Sequence, residues 1–445
     1  MYDTIIVGGG PVGLTLATYM TGKVLLIDHE SIGGCHKVRR QDNSLFAEHG
    51  PRVYCGAFLN FNAVLTEIGT SWDAIFQKVR FSPEFIDGKT WAQTLSIPEI
   101  MAVSYEYVLF LIGSRQCKNI SVLQFCQHYK FSAASISYLD VVCRFSDGAG
   151  ADRYSLFEFL NGFDQHMLYS FYEPKIANDR ALFPIWKRHI EGRGVTVLEH
   201  THVHALVHEH GHIVGVRVGK HKIVHGRGVI LAMPPISTVP LLRASCLIEP
   251  GFDAFAKSTK YEPYWSVAFH YDTDKPVLDH RGIKSTPWGL LYIEMPFVAG
   301  EPYRVVSVAA TQWNVKSPFT GKTLGEMQKQ NRHKDILNEI QRQLPISLSP
   351  IAMVTPTGKH RDTSFVAASN TSFINPRLTC CEGLYSVGTH NGYSTYNFTS
   401  IESAVQNALR FCDRQTLQSL EVSGIIRLGI ALGALLVLRP ITLQL

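Results

Sequence analysis

At 445 residues the chain is too long for one simple core and points to two intertwined domains or one large one. Apolar residues make up 45%, while charged residues, at 18%, fall below the usual ~25%. A net charge of +5 with no Lys/Arg block gives no basis for a nucleic-acid partner.

The opening "YDTIIVGGGPVGLTLATYMTGKVLLIDHE" reads as strand, glycine turn, helix and second strand, rather than as a cleavable signal peptide. Tyr2 to Val7 has the β-branched content of a strand buried on both faces. Gly8, Gly10 and Gly13 spell G-x-G-x-x-G, with Pro11 and Val12 opening the helix. The strand "KVLLID" then ends in Asp28, twenty residues after Gly8. A glycine turn in that order predicts a dinucleotide site: bare backbone approaches the pyrophosphate at the helix N-terminus, and Asp28 accepts hydrogen bonds from the adenosine ribose.

"SIGGCHKVRR" and "FAEHGPRVY" follow, carrying Gly33, Gly34, Arg39, Arg40, Glu48, Gly50, Pro51 and Arg52. A second glycine pair gives another close backbone approach, and an arginine can neutralise a pyrophosphate. This order resembles the flavin-dependent amine oxidase and phytoene desaturase superfamily. There a Gly-Gly pair and a basic residue follow the ribose acid, and an acid-x-Gly segment runs beside the isoalloxazine ring. The resemblance implies FAD, with Arg39 or Arg40 as the basic residue. Residues 192–235 are similar to the superfamily's second nucleotide segment, with Val203 at the adenine and "GVILAMPP" returning to the sheet. "GLYSVGTHNGYSTYNFTSIESAVQNALRF" is similar to the closing segment, with Gly388 ending a strand and a helix from about Ser400 aimed at the flavin. Thr389 stands where the family usually has an acid. No cysteine stands at the family's attachment position, so the resemblance implies FAD bound without a covalent link.

The implied fold is α/β: a discontinuous FAD-binding, Rossmann-like parallel-sheet domain (1–60, 190–240 and 376–415) with an α+β substrate domain on a mixed sheet (61–189 and 241–375). By chain order Tyr393 and Tyr396 join Arg52 as the expected catalytic residues beside the ring, and Lys284 matches the lysine that many members hold near flavin N5. The implied activity is amine-oxidase-type hydride transfer from a substrate C–H, the substrate being an amine or an apolar small molecule. Two alternatives stand beside it. "EHGPRVY" is similar to a segment of UDP-galactopyranose mutase, with Arg52 in place of a histidine, which implies a flavin-dependent sugar-nucleotide mutase. An inactive, membrane-attached flavoprotein scaffold is the other.

Eight of the nineteen histidines fall between His200 and His225. Alternation at His200, His202 and His204, and again at His208, His210 and His212, lines strand faces, with a turn near Glu209 to Gly211. No acid or cysteine falls at ligand spacing beside them, so the run reads as a solvated hairpin face and no metal is expected. The nine cysteines contain no C-x-x-C, the one close pair being Cys380-Cys381, and read as thiols of a reducing compartment.

The chain closes on "SGIIRLGIALGALLVLRPITLQL", with eleven apolar or glycine residues from Leu428 to Leu438 between Arg427 and Arg439. That run spans roughly 16 Å of helix, so a membrane anchor needs the whole of 421–445 with both arginines snorkelling. Gly429 and Gly433 form G-x-x-x-G, which points to pairing of two chains. The expectation is a membrane-associated protein with its catalytic body in the cytosol; the alternative is a soluble cytoplasmic protein whose tail packs as core.

Overall fold

The computed structural model describes residues 1–42, 44–79, 84–111, 117, 119–168, 170–278, 282–295, 300–356, 362–366, 373–394 and 400–417. Strand β1 (Tyr2–Val7) ends in the fully enclosed run Ile5-Ile6-Val7, and the glycine turn releases the chain into helix α1 (Pro11–Tyr19). The helix lies directly on that turn: a Cβ added to Gly13 would sit 1.9 Å from the Gly8 carbonyl oxygen, so only glycine permits this approach. Strand β2 (Val24–Ile27) is buried along its whole length and pairs parallel with β1, as its unbroken apolar sequence requires.

One sheet is assembled from stretches far apart in the chain. Its parallel part runs Thr196–Leu198, β2, β1, the end of Lys222–Leu231, then Leu384–Ser386. The strand Lys222–Leu231 is long enough to leave this part and pair antiparallel with His212–Val218, which pairs with Val203–Glu209. His210 (φ 49°) and Gly211 (φ 81°) make the two-residue turn of that histidine-bearing hairpin.

The second sheet has the order Leu290–Met295, Arg304–Ala310, Lys260–Tyr271, Ala352–Val354, with Asp362–Val366 against the start of the long strand. All of its described pairings are antiparallel, which sharpens the expected mixed sheet. Leu290–Met295 and Arg304–Ala310 return on each other across a short link, and such a return dictates antiparallel pairing. Trp265, Phe269, Tyr271 and Trp288 form its dry centre. Helices Ile97–Leu111, Val122–His128, Ala133–Asp147 and Leu156–Leu168 build a further apolar cluster around Phe125, Leu139 and Leu160.

A two-stranded ribbon packs against the second sheet. Strands β3 (Val38–Arg40) and β4 (Phe46–Glu48) pair antiparallel, and Val38, Phe46 and Ala47 pack with Ala268, Met295 and Val305 of the second sheet. His270, buried in that sheet, donates through Nε2 to the Phe46 carbonyl at 2.8 Å.

Helix Ile401–Phe411 closes the parallel sheet and carries a buried acid. Glu402 accepts from Asn60 N (2.9 Å), Asn60 Nδ2 (2.5 Å) and Phe61 N (2.8 Å), so one carboxyl group caps the neighbouring helix Leu59–Glu67. Asn60 also pairs with the backbone of Leu417, accepting from its N–H and donating to its carbonyl, both at 2.7 Å. The tail at 421–445 lies outside the described residues. Among the described residues no helix is long and apolar enough to cross a membrane.

Replacing Glu402 with alanine leaves two buried backbone donors without an acceptor. Chemical denaturation should show a loss of roughly 2–4 kcal/mol for Glu402→Ala, with less for Glu402→Gln; an unchanged midpoint would contradict the capping role.

Candidate functional site

The glycine turn, the segments flanking the ribbon and both sheets enclose one elongated cavity of about 930 Å³, near the upper end for ligand sites. At one end lie Asp28, His29, Thr201, His202, Val203 and His204. Its middle is backed by Gly8, Gly10, Pro11, Val12, Gly34, Gly388 and Thr389, with Ile401 from the closing helix. The far end is formed by His49, Gly50, Pro51, Arg52, Tyr264, Leu291, Ile293, Ala309 and Thr311, with Arg144 and Phe145 from the helical cluster.

The middle is a cradle of bare backbone. Gly34 (φ +56°) faces Gly10, and a Cβ on Gly34 would lie 2.9 Å from the Gly10 Cα. Gly33 N–H donates to the Gly9 carbonyl at 2.8 Å, fastening the second glycine pair to the first. The N-terminus of α1 points into this cradle without a side-chain cap, an arrangement suited to an anion. Asp28 accepts from Gly9 N–H (2.6 Å) and from Glu30 N–H (2.8 Å), which fixes its carboxylate at the cavity edge with lone pairs left for a ribose. Bare backbone, an uncapped helix end and a terminal acid together fit an adenine dinucleotide.

No protein-family model matches the chain, and no curated protein matches it in sequence. Solved structures do match it across nearly its whole length. The chain has the fold of solved amine oxidases. Cyclohexylamine oxidase from Brevibacterium oxydans is 12% identical, with a TM-score of 0.65 over 93% of this chain and 98% of that one. Putrescine oxidase bound to putrescine is 14% identical, with a TM-score of 0.65 over the same shares. An oxidoreductase from Methanosarcina mazei is 14% identical, with a TM-score of 0.64 over 93% of this chain and all of that one.

Within this amine oxidase fold the sequence-predicted residues divide. Gly8, Gly10, Pro11, Val12, Asp28, Gly34, Gly50, Pro51, Arg52, Val203, Gly388 and Thr389 line the cavity, whereas Gly13 and Gly33 support it from behind. Arg39 and Arg40 do not line it. Pairing of β3 with β4 sends their side chains to other partners: Arg39 to Glu30 at 2.8 Å, and Arg40 to Asp179 at 2.6 Å and Glu301 at 2.7 Å. Tyr393 lies half exposed in a separate surface depression with Arg377 and Phe411, because the turn Thr389–Asn391 ends at Gly392 (φ 70°) and directs the chain outward. Tyr396 lies outside the described residues. Lys284 is exposed and does not line the cavity. Of the histidine run, His202 and His204 do, their rings 4.5 Å apart.

His36, His49, Arg144, Tyr264 and His390 are lining residues that sequence reasoning missed. His49 lay in plain view inside "EHGPRVY"; Arg144 and Tyr264 sit in segments without a motif. His49 and Tyr264 meet edge to face with ring centroids 5.1 Å apart. His36 Nδ1 lies 3.2 Å from the Tyr54 hydroxyl, to which Asn178 Nδ2 donates at 3.1 Å. Burial holds the His36 imidazole well below its ordinary range and brings His390 down to about 4, so both are neutral at pH 7.

Behind the cavity wall lies Glu48, buried, with neither carboxyl oxygen hydrogen-bonded. Burial raises its pKa to about 7, the charge of Arg52 opposing, and burial followed by repulsion from Glu48 raises Glu173 to about 8. Among the described residues the far end of the cavity presents no lysine and no carboxylate, hence no proton-transfer group other than imidazole and hydroxyl.

A carboxyl whose folded pKa is raised supports the fold below its unfolded pKa and loses that support as pH rises through the folded value. Glu48→Gln should therefore match the wild type near pH 5 and melt higher at pH 8, by roughly 1–3 kcal/mol in stability. A constant difference across that range would contradict the buried neutral acid.

Proposed function

We propose that the protein is an FAD-dependent oxidoreductase acting on a small amine, with FAD held non-covalently. The observation that carries this reading is the continuity of the cavity, from an acid-ended nucleotide edge, over a glycine cradle, to a half-aromatic, half-aliphatic chamber that presents no lysine and no carboxylate among the described residues. The chemistry that FAD supplies when bound is acceptance of a hydride at N5 from a substrate C–H.

The chain's own residues would then bind, orient and exclude water. Asp28 would hold the ribose, the α1 N-terminus and Gly34 the pyrophosphate, and Val203 the adenine. Tyr264, Phe145, Leu291 and Ile293 would form dry walls in which an amine is held neutral, since burial disfavours its charged form. Arg144 is tied to Asp140 at 2.7 Å and to the Thr311 carbonyl at 3.3 Å, so it would stiffen the chamber. The names of the similar proteins, an amine oxidase and a diamine-bound oxidase, support the substrate class.

Purified protein should show an oxidised-flavin absorption spectrum, and heat or acid should release FAD into the filtrate. A colourless protein that FAD does not reconstitute would overturn the reading. Gly10→Val, whose branched side chain would enter the cradle against Gly34, should abolish the flavin spectrum while leaving the circular dichroism unchanged; a yellow Gly10→Val protein would overturn the cradle assignment.

Anaerobic mixing with a panel of primary amines should bleach the flavin absorbance, and readmitted oxygen should restore it with peroxide release. Bleaching only by chemical reductants would reject amine oxidation while leaving FAD binding intact.

A further inference from the structure

Four cationic side chains follow the second glycine pair, and three of them are already spent. Lys37 and Arg39 both pair with Glu30, whereas Arg40 is held between Asp179 and Glu301. None of the three lines the cavity. Arg52 differs in every respect. It lines the cavity, and among the described residues no carboxylate lies within ion-pair distance of it. Its Nη2 donates to the Cys35 carbonyl, and its Nε is fully enclosed without a hydrogen-bond partner.

The position of that one bond is informative. Cys35 follows Gly34, and Gly34 faces Gly10 at the uncapped N-terminus of α1. The guanidinium head therefore reaches the junction of the two glycine segments, although its backbone belongs to the turn after β4. An enclosed guanidinium nitrogen without an acceptor is costly, and a fork of N–H donors matches the oxygens of a phosphate. Helix α1 alone offers only a partial positive charge, too little for the two negative charges of a pyrophosphate.

We infer that Arg52 is the cation that neutralises the dinucleotide's pyrophosphate, reaching across from the Gly50-Pro51 turn to a place that the family resemblance gives to Arg39 or Arg40. This rests on the FAD reading above. It makes Arg52 a cofactor-binding residue rather than a catalytic one, and it leaves Arg144, already paired with Asp140, as the guanidinium of the far chamber.

The test compares two flavins that share the ring system and differ in their phosphates. Flavin-free protein, prepared from the holoprotein, is titrated with FAD and with riboflavin, with flavin fluorescence as the readout. Arg52→Gln should weaken FAD roughly 10- to 100-fold, as loss of a charged hydrogen-bonding group implies, and leave riboflavin unchanged. Arg52→Lys keeps the charge without the fork and should lose less; it also carries the comparison should Arg52→Gln fail to fold. Arg39→Gln should change FAD affinity less than about twofold, as expected of a partly exposed ion pair. Equal losses of FAD and riboflavin in the Arg52 variants, or a larger FAD loss in Arg39→Gln, would overturn the assignment. Wild-type protein that binds riboflavin weakly and FAD no better would overturn it as well. Wild-type protein that binds neither flavin would reject the FAD reading itself.

Discussion

The site depends first on the short distance between helix α1 and the turn that precedes it. Because Gly13 has no side chain, the helix rests on the Gly8 carbonyl, and its N-terminus opens onto the cavity. Push the helix out by the radius of one methyl group and several things change together. The exposed amides would retreat from any phosphate, Leu14 and Ala17 would leave the core they share with Phe61 and Trp186, and helix Ile401–Phe411 would lose its seat on α1. The cavity is thus a by-product of packing that was made tight for bare backbone.

A second dependency holds the ribbon beside the second sheet through charge. Arg40 extends from the ribbon to Glu301 and Asp179, and Arg180 reaches the same Glu301 at 3.0 Å. Glu301 is almost fully enclosed, so its charge is tolerable only while both guanidinium groups stay in place. This explains why a cation that looks available in the sequence is committed in the fold. It also explains why the ribbon, although only three residues wide on each strand, holds a fixed course beside the second sheet.

What the sequence revealed was whatever depends on local order. Strand, glycine turn, helix and terminal acid are neighbours in the chain, so Gly8, Gly10, Gly13 and Asp28 could be placed before any coordinates. The hairpin turn at Glu209 to Gly211 was readable for the same reason, from the alternation of histidines around a glycine. Partners remote in sequence were not readable. Arg40 meets Glu301 across 261 residues, and Asn60 meets Glu402 across 342, and neither pair leaves a local trace. Tyr393 shows the limit of chain order as a guide, since a single left-handed glycine before it turned the side chain to the outside. Arg144 and Tyr264 were hidden because a cavity wall selects for shape, and shape has no short motif.

The Asn60 side chain reproduces, with one amide, the paired hydrogen bonds that two strands exchange, and it does so with the backbone of Leu417. Considered mechanically, this pair couples the backbone at Leu417 to the first turn of helix Leu59–Glu67. A pull there reaches Asn60, then the carboxyl of Glu402, and so the first turn of the helix whose Ile401 lines the cavity. One side chain thus joins the last described residue to the helix turn that lines the binding cavity.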